Sequence, residues 1–300
     1  MSLYYKITAP AKLNLNLIVK GKFLDGLHFL ESDICFLELI DKIFLKYSRN
    51  DIFYQNTNNS FLINPKTNLI LDAMKKFRSQ TNWNKKFEIY LDKNIPIGAG
   101  LGGGSADAAA TLVLLRRLFN KDRKYNKMPI SKIFEMGSEL GSDVPSCIMS
   151  KDLELIGYGK KIRRKKFPNN YYFLLIYPNI ELSTKSVFKH YPNFENFNHK
   201  SKKLFFENIR IYNSLLFSAT SQVPIIKDIL ESLKKIPNIV AYGMTGSGST
   251  CFGIVKHKND IPNLSNLFNN KYFTWFGQKA NYNLNRIRSA KVLENKFQIM

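Results

Sequence analysis

Pro96-Ile-Gly-Ala-Gly-Leu-Gly-Gly-Gly-Ser-Ala-Asp-Ala-Ala-Ala110 places five glycines between an apolar run and an alanine-rich one. The run before it, Phe87 to Leu91, predicts a strand, and Ser105 to Phe119 predicts a helix rich in Ala and Leu. Glycine reaches positive φ and lets backbone N–H groups come close to a ligand. The helix adds unpaired N–H groups and the positive end of its dipole. Gly98, Gly100, Gly102, Gly103 and Gly104, with Pro96, Ile97, Ala99 and Leu101 between them and Ser105 and Ala106 opening the helix, therefore form a candidate phosphate cradle. Asp107, in the first helical turn, is read as structural. A flexible linker is the plainer alternative, but flexible glycine runs do not adjoin so strong a helix.

Three familiar phosphate-binding schemes fail. Gly98, Gly100 and Gly103 match GxGxxG, yet no second strand precedes Asp122, where a dinucleotide site requires one ending in an acid. The P-loop tripeptide Gly-Lys-Ser/Thr is missing from the chain. So are the His-Arg-Asp and Asp-Phe-Gly tripeptides of protein kinases.

Working outward, Lys6 to Lys20 alternates polar and apolar from Lys12 onward and predicts a strand, bent or bulged at Pro10. Lys12 and Asn14, two residues apart, point to one face of it. Asp41 to Tyr47 also predicts a strand, and helices are expected over 68–78, 130–140 and 222–235. Short strands and a basic hairpin, 160–166, read as a solvated turn, close the first half. A second half opens with a strand over 172–177 and carries another near 238–243. Gly141-Ser-Asp-Val-Pro145 sets Asp143 in a turn after a helix, and Gly243 to Thr250 is a second glycine turn. The unequal mixing of elements argues for α+β, with domains over 1–160 and 161–300.

Composition narrows the class. The chain of 300 residues has 45 basic and 23 acidic side chains, a net charge of +22. Such a surplus suits nucleic acid, anionic lipid or an acidic small substrate. The lysines are spread among many Asn, Ile, Phe and Tyr rather than gathered in a tail, which reads as compositional drift more than a dedicated nucleic-acid surface. Cys35, Cys147 and Cys251 form no CxxC pair and the four histidines no paired spacing, so a structural zinc site is not expected. With no signal peptide and no long uncharged apolar stretch, the expectation is a soluble cytoplasmic protein that binds neither membrane nor nucleic acid.

Taken together, Pro10-Ala-Lys-Leu-Asn-Leu, Asp25-Gly-Leu-His-Phe-Leu, the glycine loop, Gly-Ser-Asp-Val-Pro and Thr-Gly-Ser-Gly resemble the motifs of the GHMP kinases, in order, from Pro10 to about Asn285. The wording is closest to the branch that phosphorylates the 2-hydroxyl of methylerythritol carried on a cytidine diphosphate. The resemblance implies an N-terminal domain like domain 2 of ribosomal protein S5, a ferredoxin-like C-terminal domain, ATP and Mg²⁺. It implies that Lys12 and Asp143 are the catalytic pair and that Asn14 contacts the erythritol end. An ammonium beside a carboxylate favours its charged form and can stabilise a transferring phosphoryl group. His28 matches a residue that hydrogen-bonds cytosine and Phe188 one that stacks on it; Asn68, Leu69 and Lys93 match positions around adenine and ribose. Thr245, Gly246, Ser247 and Gly248 would cover the substrate diphosphate. No metal ligand follows, and monomer and homodimer both stay open. Leu27 stands where the family has an aromatic, and Gly157-Tyr-Gly-Lys160 replaces Gly-x-Gly-Glu. Two other readings remain open: a superfamily member with another alcohol, and an RNA-binding protein, which would leave both glycine turns without a use.

Overall fold

The computed structural model describes residues 4–22, 28–56, 67–157, 161–191, 204–260, 271–280, 288–290 and 297–299. A first sheet contains β1 (Tyr4–Asn14), β2 (Ile18–Lys22), β3 (His28–Ser48), β4 (Ile52–Asn56), β5 (Lys86–Asp92), β6 (Leu153–Gly157) and β7 (Lys161–Arg164). Helices α1 (Leu69–Thr81), α2 (Gly103–Phe119), α3 (Ile130–Leu140) and α4 (Val144–Met149) pack their apolar side chains into one core with it. A second, four-stranded sheet consists of β8 (Tyr172–Tyr177), β11 (Ile239–Met244), β12 (Cys251–Val255) and β13 (Phe273–Gln278), ordered β11-β12-β8-β13 and antiparallel throughout. Between β8 and β11 come α5 (Thr184–Lys189), a short hairpin of β9 (Leu204–Phe206) and β10 (Ile209–Ile211), α6 (Leu216–Gln222) and α7 (Ile225–Lys235). Two late strands, β14 (Arg288–Ala290) and β15 (Phe297–Ile299), return to the first sheet beside β1 and β4. The molecule is a two-domain α+β protein whose tail crosses back.

One irregularity sets the site. In β1, buried Ile7 and Ala9 alternate with half-buried Lys6 and Thr8, as expected of a strand covered on one face. The register against β3 then shifts between Pro10 and Lys12, and a bulge turns the following side chains over. Ile7 and Ala9 join the core under the helices, whereas Ala11, Leu13 and Leu15 join the core shared with β8 and β12. The bend expected at Pro10 is present, and it puts Lys12 on the side of α2. The run expected as one strand over 6–20 instead ends at Asn14 and resumes at Ile18.

Two further expectations are refined. The helix expected over 222–235 is α7, which begins at Ile225; a separate helix, α6, ends at Gln222, because Val223 leaves the helical conformation and Pro224 cannot donate into a continuing ladder. The basic hairpin has a return strand, β7, paired with β6. The polar, Asn- and Lys-rich segment 191–203, which the sequence predicts as a loop, lies outside the described residues from 192 onward, as do Leu27 and residues 158–160. No helix among the described residues is long and apolar enough to cross a membrane.

Cys35, Cys147 and Cys251 are all buried and free. Burial pushes the Cys147 thiol up to about 12, with the Asp143 charge adding to it, and raises Cys35 and Cys251 as well. Thiols held protonated do not react. A thiol reagent at pH 8 is therefore expected to leave the native protein unlabelled and to count three thiols after unfolding. Rapid labelling of the native protein would contradict the burial.

Candidate active site

The glycine segment crosses from β5 into α2 directly beside Lys12, whose backbone N–H donates to the Leu101 carbonyl at 2.9 Å. Gly102, at φ +64°, is the left-handed residue before α2, and a Cβ there would stand 2.7 Å from the Lys12 side chain. The turn therefore needs glycine for conformation and for space. No side chain caps α2, and the first intrahelical bond runs from Ala106 N–H to Gly102. The N–H groups of Gly103, Gly104 and Ser105 are left at the positive end of the helix dipole, the arrangement that holds an anion.

The second glycine turn is locked onto the first. A Cβ on Gly100, at φ +74°, would meet the Gly248 and Thr245 carbonyl oxygens at 2.6 and 2.8 Å. Thr245 Oγ1 accepts from the Asn14 backbone N–H at 2.9 Å. Asn213 anchors the turn from below, its Nδ2 donating to the carbonyls of Met244 and Gly246 at 2.8 and 2.9 Å. Sequence reasoning missed Asn213; a lone asparagine in a loop carries no signal of what it will clamp.

Lys12 Nζ lies 2.8 Å from Asp143 Oδ2, joining β1 to the loop before α4 across 131 positions (143 − 12). The Lys12 side chain is 7% exposed and that of Asp143 36%, so the carboxylate can reach a ligand. Asp143 starts α4 through its carbonyl, which accepts from Cys147 N–H and Ser146 Oγ–H, leaving its carboxylate uncommitted to the helix.

Beneath the loop, Lys93 Nζ is buried between Asp41 Oδ2 at 2.5 Å and Asp107 Oδ2 at 2.8 Å. Burial opposes its charge, but Asp107 and Asp41 outweigh that and hold its pKa above the ordinary lysine value. Burial likewise pushes the Asp107 carboxyl well above the usual carboxylate range, with Lys93 working against it. Asp41 Oδ1 accepts from the N–H groups of Asn94 and Ile95. The ammonium of Lys93 thus braces the entry to the glycine loop against β3 and α2. The structural reading of Asp107 fits this brace.

A cavity of about 610 Å³ opens above these elements. Lys12, Asp143, Asn68, Leu69, Lys93, Phe188, Gly246, Ser247 and residues 96–105 line it. Asn14, Ala106, Thr245 and Gly248 stand behind the wall as supports; Asn14 is tied to Ser32 Oγ at 2.7 Å. Asn68 caps α1, Oδ1 accepting from Ile70 N–H at 2.9 Å, while its buried Nδ2 has no partner among the described residues. At the other end His28 lies against Phe188, ring centroids 4.8 Å apart, with Tyr191 edge-on to His28 at 6.3 Å. Glu181, whose side chain covers Gly98, also lines the cavity, as do Leu17, Leu30 and Leu215. None of these four carried a motif.

Residues 68–151 match the GHMP kinases N terminal domain and residues 193–273 the GHMP kinases C terminal domain. The 4-diphosphocytidyl-2-C-methyl-D-erythritol kinase of Prochlorococcus marinus (strain MIT 9301) is 32% identical, the match covering 90% of this chain and 93% of that one. The protein of the same name from Bacillus subtilis (strain 168) is 31% identical over 86% of this chain and 90% of its own. Among solved structures, a 4-(cytidine 5′-diphospho)-2C-methyl-D-erythritol kinase superposes with a TM-score of 0.74 at 24% identity, covering 92% of this chain and all of that one. Homoserine kinase from Cytophaga hutchinsonii shares the fold at a TM-score of 0.63 and 14% identity, over 92% and 94% of the two chains. A glycine turn at an uncapped helix, a Lys–carboxylate pair on the same cavity and matches in both domains agree, and this chain belongs to the GHMP kinase family of small-molecule kinases.

Proposed function

We propose that this kinase transfers the γ-phosphoryl group of ATP to the 2-hydroxyl of 4-diphosphocytidyl-2-C-methyl-D-erythritol, a step of the methylerythritol phosphate route to isoprenoids. The observation that carries the reading is one cavity bearing the open N-terminus of α2, the Lys12–Asp143 pair and the Phe188 ring with His28 against it. The relatives named above carry that substrate in their names.

ATP phosphates would lie on the N–H groups of Gly103 to Ser105, and Nδ2 of Asn68, without a partner among the described residues, is a donor for the adenine or ribose end. The substrate hydroxyl oxygen bonds to the γ-phosphorus as the bond from that phosphorus to the leaving ADP oxygen breaks. Asp143 takes the hydroxyl proton, and Lys12 stabilises charge on the phosphoryl group in transit. Positioning and charge carry most of such a rate. Mg²⁺ accompanying ATP would neutralise phosphate charge, with ligands drawn mainly from phosphate and water; the Ser105 hydroxyl on the cavity wall is an oxygen of the right kind.

The test is coupled ADP release from purified protein with Mg-ATP, offering the cytidyl substrate, mevalonate and homoserine in parallel. Turnover confined to the cytidyl compound is expected. Turnover with another alcohol would keep the kinase and discard the roles given to His28 and Phe188. Phe188→Ala is expected to raise KM for the cytidyl substrate about tenfold with kcat nearly unchanged, since a stacked base is worth roughly 1–3 kcal/mol. An unchanged KM removes Phe188 from the base site.

A further inference from the structure

A second cavity, of about 400 Å³, sits at the opposite end of α2, beside Leu118, Lys121 and Asp122. With 17 residues in α2, the two cavities are separated by about 25 Å of helix. The phosphoryl-transfer reading makes no use of it. Its walls are two tyrosines, Tyr5 and Tyr47, edge to face at 6.0 Å, with Tyr47 44% exposed. Lysine ammonium groups surround them.

We infer that this cavity is a second ligand site, built for a planar ring carrying a phosphate group and of nucleoside monophosphate size. Lys85 and Lys121 both line it, and neither forms a salt bridge among the described residues. Lys121 Nζ instead stands 5.7 Å from the Tyr5 ring centroid. Lys86 is spent on Asp51 at 3.1 Å. The one lining carboxylate, Asp122, is turned onto neighbouring donors, Oδ2 accepting from Trp83 Nε1 at 3.1 Å and Oδ1 from the Lys124 N–H at 3.2 Å; these bonds hold its pKa below the usual value, so it keeps its charge, offset by the nearby Lys85 and Lys124. Two cations without a salt bridge among the described residues, Lys121 over the Tyr5 ring and Lys85 near Asp122, thus stand beside an aromatic wall, the combination that recognises an anion attached to a ring. Burial, with Tyr5 and Asp122 nearby, pushes the Tyr47 phenol up to about 12, so it keeps its proton and can donate to a phosphate oxygen. The net charge of +22 favours arrival of such an anion. Free nucleotides and other phosphorylated rings share this chemistry.

Pyridoxal 5′-phosphate is the probe, because it combines the ring, the phosphate and an aldehyde that reports the nearest lysine. Its aldehyde condenses with a lysine amine, releasing water, and borohydride delivers hydride to the imine to leave a stable secondary amine for peptide mass spectrometry. The full chain is labelled with the reaction cavity filled by a non-hydrolysable ATP analogue. Lys85 or Lys121 is expected to label at a probe concentration at least tenfold lower than the exposed helix lysines Lys132 and Lys234 require. AMP or benzyl phosphate should protect, and Tyr47→Ala should remove the preference while kinase activity stays unchanged. Labelling that follows exposure alone, or persists in Tyr47→Ala, overturns the site. Protection by inorganic phosphate as good as that by AMP overturns ring recognition. Protection by a single-stranded oligonucleotide but not by AMP would make the surface a nucleic-acid contact and overturn the inference.

Discussion

Asp143→Asn is expected to lower kcat at least about 10²-fold, the contribution of a positioned general base, with KM for both substrates little changed and the fold intact. The fold should survive because α4 begins on the Asp143 carbonyl, not on its carboxylate. An amide has nearly the same shape but cannot accept the hydroxyl proton. Lys12→Ala should cost as much for a different reason, the loss of the cation that stabilises the phosphoryl group in transit. It also empties the space into which Gly102 is fitted, so its melting point must be checked alongside the rate. Because the two groups lie 2.8 Å apart and act as a unit, their losses should not add, and the double variant should be little slower than the worse single one. Near-normal turnover in either single variant would remove that residue from the catalytic pair.

Local order in the chain explains what was legible. Helix α3 and strand β8 occupy the spans predicted for them, Ile130–Leu140 and Tyr172–Tyr177: α3 buries the one face that its helical period implies, whereas β8 is buried on both faces and reads as a short continuous apolar run. The glycine loop was legible because only a ligand cradle explains five glycines set against an alanine-rich helix. Helix α4 was not: six residues with a proline near the start hold too little period to read. Nor was the return of β14 and β15 to the first sheet, which rests on pairings with β1 and β4 more than 200 residues away. In the site, the Lys12–Asp143 and His28–Phe188 pairs each join residues over a hundred positions apart. No periodicity encodes such proximity, and resemblance alone supplied it. Lys93 shows the converse. Resemblance assigned it to the nucleotide, whereas its two carboxylate partners are a matter of burial and charge that only the packed structure reveals.

That brace leads to the largest expected effect on stability. Lys93→Met keeps most of the side-chain volume but removes the cation, leaving Asp41 and Asp107 buried without it. Breaking a buried ion cluster from one side costs about 3–5 kcal/mol, a large share of the 5–15 kcal/mol that typically separates native from unfolded. The loss should fall on function too, because Asp41 holds the N–H groups of Asn94 and Ile95 and a Cβ on Gly103 would lie 3.0 Å from Lys93 Nζ. A raised KM for ATP should therefore accompany the lower urea midpoint. The pH dependence has a definite sign. Asp107 already has its pKa raised by burial, and removing Lys93 raises it further. The native variant then binds a proton more tightly than the unfolded chain does, so its stability falls as pH rises through the folded value and recovers as pH is lowered. The deficit relative to wild type should be smaller at pH 5.5 than at pH 8. Adding Asp107→Asn to Lys93→Met should restore part of the midpoint at pH 8 and flatten that dependence. A single variant with a wild-type midpoint at pH 8 would show that the shared cation of Asp41 and Asp107 contributes nothing to stability.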